Sequence, residues 1–280
     1  MRTSLKKTLY AGVLGLTVFG LAACSSGNDE GSGSGDDDET LTVGASSMPH
    51  AEILEQAEDD LAEKGYELDV EVFDDYVLPN QALDEGDLDA TFHQHEPYLD
   101  NFNEENGTDL VSAGEVHFEP LGLYPGKTET VDDLQDGAEI AIPNDATNGA
   151  RALLLLEEAG LIKLDDDKGI EATTNDIEEN PKDLEITELE ASQIPRTVQD
   201  VDLSVINGNY AVDAGFDIAN DSLEIEDKDS EAAQTYANVV AVQEGNEDDP
   251  AIEALMESLH SDDVKDFINE EYQGAVVPLF

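Results

Sequence analysis

Two histidines lie two residues apart in the segment FHQHEPYLD, although the whole chain of 280 residues contains only five histidines. On an extended strand, alternate side chains point to the same side, so His93 and His95 would share one face. Imidazole and carboxylate groups bind zinc, and Glu96 with His50, His117 or another acidic residue could complete a site. Zinc binding or metal-dependent hydrolysis is therefore one hypothesis for this segment.

The same segment fits a second hypothesis, in which its rings line a ligand pocket. His93, His95 and Tyr98, together with Tyr76 in FDDYVLPN, could surround an apolar or thioether side chain. Sulfur packs favourably against aromatic rings, and buried imidazole and phenol groups need hydrogen-bond partners in such a wall. The chain contains neither the HExxH motif nor the GxSxG motif. We therefore expect binding rather than catalysis.

An arginine in the segment PNDATNGAR suggests a partner for a carboxylate. A strand is predicted to end at this turn, and Thr147 or Asn148 can cap the helix that follows, where free N–H groups favour an anion. Arg151 would fall in the first turn, where the helix dipole disfavours a cation. A guanidinium can hold a carboxylate by two parallel hydrogen bonds. The alternative is a structural ion pair with one of the many acidic residues.

The N-terminal segment predicts export and lipid attachment. Residues 1–23 combine a basic start with a short, uncharged and mostly apolar stretch, which is typical of a secretory signal peptide. Its end, LAAC, resembles the lipobox of bacterial lipoproteins, and the resemblance implies cleavage before Cys24 and lipid on its sulfur. Residues 24–39 are then a flexible acidic linker. We expect a lipid-anchored protein on the extracytoplasmic face of the cell membrane.

The formal net charge of −56 restricts the possible partners. Such a polyanion is repelled by nucleic acid, so no nucleic-acid partner is expected. Many surface carboxylates keep a protein hydrated in concentrated salt, where their mutual repulsion is screened, and a halophilic or salt-tolerant source is therefore expected. Cys24 is the only cysteine, which excludes an intramolecular disulfide. No cofactor is expected.

Beyond the linker, predicted strands and helices alternate in two series along the chain. The first series, up to about residue 92, reads β-α-β-α-β and predicts an α/β lobe with a largely parallel sheet. The segment 116–125 is predicted as a strand that crosses between lobes, and 250–269 as a C-terminal helix. Two α/β lobes with a ligand cleft between them follow from this order.

Several segments, in order along residues 41–280, resemble the methionine-binding lipoproteins of bacterial ABC importers, the NlpA family. They are FDDYVLPNQALDEGDLDATFHQHEPYLD, IPNDATNGARALLLLEEAGLIKL, NPKDLEITELEASQIPR, INGNYA, EDKDSEAAQTYANVVAV and GAVVP. The resemblance implies an α/β, two-lobed, periplasmic-binding-protein-like fold with the ligand cleft between the lobes. Residues 40–123 and 236–280 would form lobe I, and residues 124–235 would form lobe II.

The resemblance also implies a set of ligand-binding residues. The rings would surround the methionine side chain, Arg151 would bind the α-carboxylate, and Asn238 with nearby carbonyls or acids would take the ammonium. His93 stands where the family usually has phenylalanine, which leaves a more polar amino acid or a methionine-containing dipeptide open as ligand. The implied ligand-binding residues are Tyr76, His93, His95, Tyr98, Arg151, Asn207 and Asn238.

The implied function is capture of a small molecule and not a reaction. Its partners would be L-methionine or a related amino acid, an ABC permease with its ATPase subunit, and the membrane through the lipid anchor on Cys24. The chain has no GxxxxGK[ST] phosphate-binding loop, so ATP hydrolysis would belong to another subunit. A zinc-binding lipoprotein or a metal-dependent hydrolase that uses His93 and His95 remains the alternative.

Overall fold

The computed structural model describes residues 39–228 and 234–280. The predicted signal peptide, the lipidation site Cys24 and the linker as far as residue 38 lie outside these ranges. The first strand already begins at Glu39, the last residue of the predicted linker. Within the described ranges, every helix is too short or too polar to span a membrane.

Strands and helices alternate over most of these residues. The strands, in chain order, are β1 (Glu39–Ser46), β2 (Tyr66–Phe73), β3 (Ala90–His95), β4 (Leu110–Phe118), β5 (Gly122–Pro125), β6 (Glu139–Pro143), β7 (Lys163–Leu164), β8 (Ile177–Glu179), β9 (Glu185–Leu189), β10 (Leu203–Ile206), β11 (Glu224–Ile225), β12 (Ala237–Gln243) and β13 (Val277–Pro278). The helices are α1 (Glu52–Glu63), α2 (Val77–Glu85), α3 (Glu96–Asn106), α4 (Ala146–Glu158), α5 (Ile194–Thr197), α6 (Gly208–Asp213), α7 (Ile218–Asp221), α8 (Pro250–Leu259) and α9 (Asp262–Tyr272). Single helical turns occupy Ser47–Ala51, Val131–Asp133, Gly169–Glu171, Thr174–Asp176, Ala191–Gln193 and Val198–Asp200.

The strands form two main sheets. The first has the strand order β13-β4-β12-β3-β1-β2, the second has the order β11-β5-β10-β6-β9, and β7 pairs with β8. In the first sheet β1 is parallel to β2 and β3, whereas β12 is antiparallel to β3 and β4. In the second sheet β6 is parallel to β9 and β10, whereas β5 is antiparallel to β10. Both sheets are therefore mixed, and the parallel arrangement predicted for the first lobe applies to β1, β2 and β3.

Helices pack on both faces of the first sheet. On one face lie α1, α8 and α9, and on the other lie α2 and α3. Helix α1 buries one stripe of apolar side chains at spacings of three and four residues, as an amphipathic helix does. The stripe consists of Ile53, Leu54, Ala57 and Leu61. This packing holds β3, at the centre of the sheet, in a fixed position.

The second sheet has hydrophobic cores of its own. Helix α4 packs Leu153 and Leu156 against Ile140 and Ile142 of β6. The opposite face of the sheet is covered by α5, α6 and α7. Separate cores around separate sheets are what an α/β chain with two lobes requires. The predicted lobe boundaries, after residues 123 and 235, stay a prediction.

Two segments differ from the sequence-based prediction. The stretch 116–125 is divided between β4 in the first sheet and β5 in the second, because Pro120 has no N–H to donate to a strand ladder. The C-terminal stretch 250–269 contains two helices, because Ser261 interrupts the first and caps the second. Its Oγ accepts a hydrogen bond from the backbone N–H of Val264 at 3.3 Å.

The charge of the chain predicts a strong dependence of stability on salt. With 12 basic residues against 68 acidic ones, most carboxylates have no basic side chain to pair with. Raising NaCl from 0.1 to 1 M shortens the screening length from about 10 to about 3 Å. We expect the melting temperature to rise by about 10 °C, or about 3 kcal/mol for a domain of this size. Thermal melts by circular dichroism over this range test it, and an unchanged melting temperature would contradict salt adaptation.

Candidate functional site

A cavity is lined by residues from both halves of the fold. All seven residues that the sequence analysis proposed lie on its wall. The lining residues are Tyr76, His93, Gln94, His95, Tyr98, Glu119, Asn148, Arg151, Asn207, Gly208, Asn209 and Asn238. Sequence reasoning missed Glu119, because one glutamate carries no signal in a chain with 68 acidic residues.

The end of β3 positions His95 and fixes its tautomer. His95 is the N-cap of α3, and its Nδ1 accepts a hydrogen bond from the backbone N–H of Tyr98 at 3.2 Å. The proton therefore lies on Nε2, which donates to Oδ1 of Asn148 at 3.1 Å. The side chain is buried, and burial lowers the pKa of His95 to about 3. This imidazole is neutral at neutral pH.

His93 and two tyrosines form one wall of the cavity. Nε2 of His93 donates to the carbonyl oxygen of Tyr76 at 3.2 Å, and burial lowers the pKa of His93 to about 4. The ring centroid of Tyr76 lies 6.1 Å from that of His93 and 5.6 Å from that of Tyr98. The Tyr76 hydroxyl donates to Oδ1 of Asn209 in α6 at 2.5 Å. The wall is thereby joined to the half of the fold that carries the second sheet.

The structure contradicts the metal hypothesis for His93 and His95. A metal ligand must offer an unprotonated nitrogen, and His95 has none to spare, because its Nδ1 caps a helix and its Nε2 donates to Asn148. Nε2 of His93 donates to the carbonyl oxygen of Tyr76, and only its Nδ1 is without a partner in the described residues. In residues 39–228 and 234–280, no third histidine, cysteine or carboxylate lies close enough to join them. The atoms that do converge, within 4.8 Å of one another, belong to His50, His117 and Glu119.

Arg151 is buried in an ion pair. Its Nε and Nη2 donate to the two carboxylate oxygens of Glu226 at 2.7 and 2.5 Å, and Nη2 also donates to the carbonyl oxygen of Glu119 at 2.7 Å. Burial by itself lowers the pKa of Arg151, but the charge and hydrogen bonds of Glu226 raise it overall. The bidentate edge predicted for a ligand carboxylate is thus occupied by Glu226. Nη1 makes no hydrogen bond to the part of the chain that the structure describes.

The helix that carries Arg151 begins earlier than predicted. Asp145 caps it in place of Thr147 or Asn148, and its Oδ1 accepts hydrogen bonds from the Asn148 N–H at 2.8 Å and the Thr147 hydroxyl at 3.0 Å. Because α4 starts at Ala146, Arg151 lies in the second turn, where the helix dipole acts weakly. The Asp145 carboxylate already occupies the anion position at the helix start, so that position does not serve a ligand.

The two predicted asparagines present different atoms to the cavity. Nδ2 of Asn207 donates to Oδ1 of Asn148 at 2.8 Å, and its own Oδ1 is buried without a hydrogen-bond partner in the described residues. Oδ1 of Asn238 instead accepts from Nε2 of His50 at 3.1 Å. The amide nitrogen of Asn238 is a donor, and its oxygen keeps a second lone pair. The sequence-based assignment of Asn238 to the ligand ammonium stays a prediction.

A family model, a relative and solved structures each match most or nearly all of this chain. The family model NlpA lipoprotein matches residues 41–280. The methionine-binding lipoprotein MetQ of Bacillus subtilis is 42% identical over 98% of this chain and 99% of its own length. A crystal structure from Ruminococcus gnavus is 53% identical with a TM-score of 0.86, and it covers 86% of this chain and 100% of that one. A nutrient-binding protein of Burkholderia cenocepacia, solved bound to methionine, is 41% identical with a TM-score of 0.81 over 86% and 100%. The predicted two-lobed α/β fold is confirmed by these structural similarities.

Proposed function

Because the chain belongs to the NlpA lipoprotein family, we propose that it is the substrate-binding lipoprotein of an ABC importer and captures methionine or a closely related amino acid. The observation that carries the proposal is one cavity that combines a buried arginine with a wall of aromatic and imidazole rings. The similar protein from Burkholderia cenocepacia was solved with methionine bound, which supports this ligand class. The proposed role is capture and not chemistry.

The carboxylate of the ligand would be held at one end of the cavity by two donors. Nη1 of Arg151 makes no hydrogen bond to residues 39–228 or 234–280, whereas Nε and Nη2 donate to Glu226. The amide nitrogen of Asn238 is a second donor, because His50 holds the oxygen of that side chain. Arg151 would therefore bind the carboxylate through one nitrogen and not through the bidentate edge expected from the sequence.

The side chain of the ligand would lie against the rings of Tyr76, His93, His95 and Tyr98. These groups line the cavity and are buried or half-buried. A thioether gains from contact with ring faces and edges, and its removal from water is favourable. The imidazole of His93 is neutral, so it offers a flat surface without the cost of burying a charge.

Hydrogen bonds across the cavity support capture by closure. His95 at the end of β3 donates to Asn148 on α4, and Tyr76 beside α2 donates to Asn209 on α6. Each bond joins an element of the first sheet to one of the second, so separation of the halves would break both. A ligand that contacts both halves favours the closed state by its differential affinity for that state.

The proposed function also includes attachment to the membrane and docking on a transporter. The domain would be tethered by lipid on Cys24 to the extracytoplasmic face of the cell membrane. The liganded form would dock on a permease whose separate subunit hydrolyses ATP. Residues 40–123 with 236–280 and residues 124–235 are the two lobes that we propose to close.

Thermal melts of the mature lipidated protein in detergent and 1 M NaCl test the proposal. A methionine concentration of one hundred times Kd is expected to stabilise the fold by about 2.7 kcal/mol, or about 5 °C or more. The chelator EDTA is the control for a metal, and it should leave this shift unchanged. Calorimetric titration with each of the twenty amino acids identifies the ligand. Absence of binding by all twenty would contradict the proposed function.

A further inference from the structure

Glu119 is a buried carboxylate on the wall of the cavity. It lies in the connection between β4 and β5 and is 5% exposed. Its Oε1 accepts a hydrogen bond from Nε2 of His117 at 2.7 Å and lies 3.3 Å from Nε2 of His50. The backbone N–H of Asn209 also donates to the carboxylate. Donors from three separate parts of the chain therefore hold this group in place.

The two histidines orient Glu119 without neutralising it. Nε2 of His50 faces two acceptors, the Glu119 carboxylate and Oδ1 of Asn238, while its Nδ1 lies 3.1 Å from the hydroxyl of Ser46. This arrangement places the proton on Nε2 and lets Ser46 donate to Nδ1. Burial lowers the pKa of both His50 and His117 to about 3. At neutral pH both rings are therefore uncharged hydrogen-bond donors.

No lysine or arginine of the described chain forms an ion pair with the Glu119 carboxylate. The guanidinium of Arg151 lies nearby, but it pairs with the carboxylate of Glu226, and its hydrogen bond to Glu119 goes to the backbone carbonyl oxygen. Burial raises the pKa of Glu119, although His50 and Arg151 act in the opposite direction. A buried carboxylate without a cation is costly, and the cavity is the space from which a cation can reach it.

The backbone of Gly208 packs closely against the side chain of Glu119. A Cβ atom on Gly208 would lie 2.8 Å from Cβ of Glu119 and 3.0 Å from its Oε2, so only glycine permits this approach. With the imidazoles and Gly208 in place, the carboxylate has little freedom to turn away from the cavity. Its charge is therefore presented to whatever occupies the cavity.

We infer that Glu119 binds the α-ammonium group of the ligand and selects molecules with a free amino group, and that His50 and His117 are positioning residues for it. The inference rests on the proposed function, since it assumes an amino acid as ligand. The ammonium supplies the cation that the buried carboxylate lacks. Oδ1 of Asn207, a buried acceptor on the same cavity, is a second partner for it. Glu119 and Arg151 then face the two opposite charges of one zwitterion.

The test compares L-methionine with 2-hydroxy-4-(methylthio)butanoate, in which a hydroxyl replaces the ammonium. Calorimetric titration of the wild-type protein is expected to give at least 100-fold tighter binding of methionine, because a site built around a charge rejects the analogue that lacks it. In Glu119→Gln the preference should fall below about 10-fold. Glu115 is an exposed glutamate of β4, four residues before Glu119, and Glu115→Gln is the matched control that should keep the wild-type ratio.

The positioning role of the histidines has its own measurement. His117→Phe removes one of the three donors to Glu119, and the preference for methionine over the hydroxy analogue is expected to fall about 10-fold, the value of one hydrogen bond to a charged group. His117→Gln keeps an N–H donor and should retain more of the preference. A residue that merely fills space would change the affinity for both compounds alike and leave their ratio constant.

Each outcome of these titrations decides between the two proposals. If the wild-type protein fails to bind methionine, the proposed function fails. If it binds methionine but binds the hydroxy analogue equally well, only the assignment of Glu119 fails, and this comparison needs no variant to fold. Stoichiometric Zn²⁺ binding that disappears in Glu119→Gln would also overturn the assignment, since His50, His117 and Glu119 would then be a metal site.

Discussion

Replacing Arg151 with alanine is expected to weaken methionine binding by at least about 100-fold, or about 3 kcal/mol. In the closed cavity the ligand carboxylate would lose its only buried cationic partner among the described residues. The other described arginine, Arg196, is exposed, and Arg196→Ala is the matched control that should retain wild-type affinity. Calorimetric titration in 1 M NaCl measures both variants. Affinity within tenfold of wild type in Arg151→Ala would contradict the assigned role.

The same substitution also removes the partner of a buried carboxylate. Glu226 accepts two hydrogen bonds from Arg151, so Arg151→Ala is expected to cost about 3–5 kcal/mol in the free energy of unfolding. Arg151→Met combined with Glu226→Gln removes both charges and should recover much of this stability. Binding should not recover with it, because the cation is still missing. This double variant separates the loss of affinity from the loss of fold.

Acidification from pH 7 to pH 5 is expected to lower the free energy of unfolding by on the order of 5 kcal/mol. Burial lowers the pKa of His50, His95 and His117 to about 3 and that of His93 to about 4. In the unfolded chain each histidine takes up a proton near pH 6.5, so the unfolded state binds more protons below that value. The stabilisation is complete above the unfolded pKa and is lost as the pH falls toward the folded pKa. Each histidine contributes about 2 kcal/mol over this interval.

Two carboxyl groups act in the opposite direction. Burial raises the pKa of Glu119 and of Asp145, so the folded state gains protons on them as the pH falls, and this reduces the net effect. Urea unfolding at pH 7, 6 and 5 in 1 M NaCl measures the net change in the free energy of unfolding. His93→Phe removes one buried titrating ring, so the number of protons taken up on unfolding between pH 7 and pH 5 should fall by about one. Equal stability at pH 7 and pH 5 would contradict the prediction.

The sequence by itself determined which local segments form the cavity wall. The spacing of His93 and His95 on a strand indicated a shared face, and both residues line the cavity beside Tyr98. Arg151 stood out because arginine is rare in this chain, and it is buried on the same cavity. Such inferences succeed because strand and helix periodicity are local properties of the chain. Tyr76 was proposed from its own segment as part of the same wall, and the family resemblance added Asn207 and Asn238.

Only the tertiary structure decided how those side chains are paired. Arg151 and Glu226 are 75 positions apart in the chain, and Asn238 and His50 are 188 apart. No local pattern predicts that Glu226 takes the bidentate edge of the arginine, or that Nε2 of His50 donates to Oδ1 of Asn238. The same is true of Glu119, one carboxylate among 68 acidic residues until folding buries it between two neutral imidazoles. Burial and distant partners set the charge and hydrogen-bonding role of each group, and both arise only when the two sheets come together.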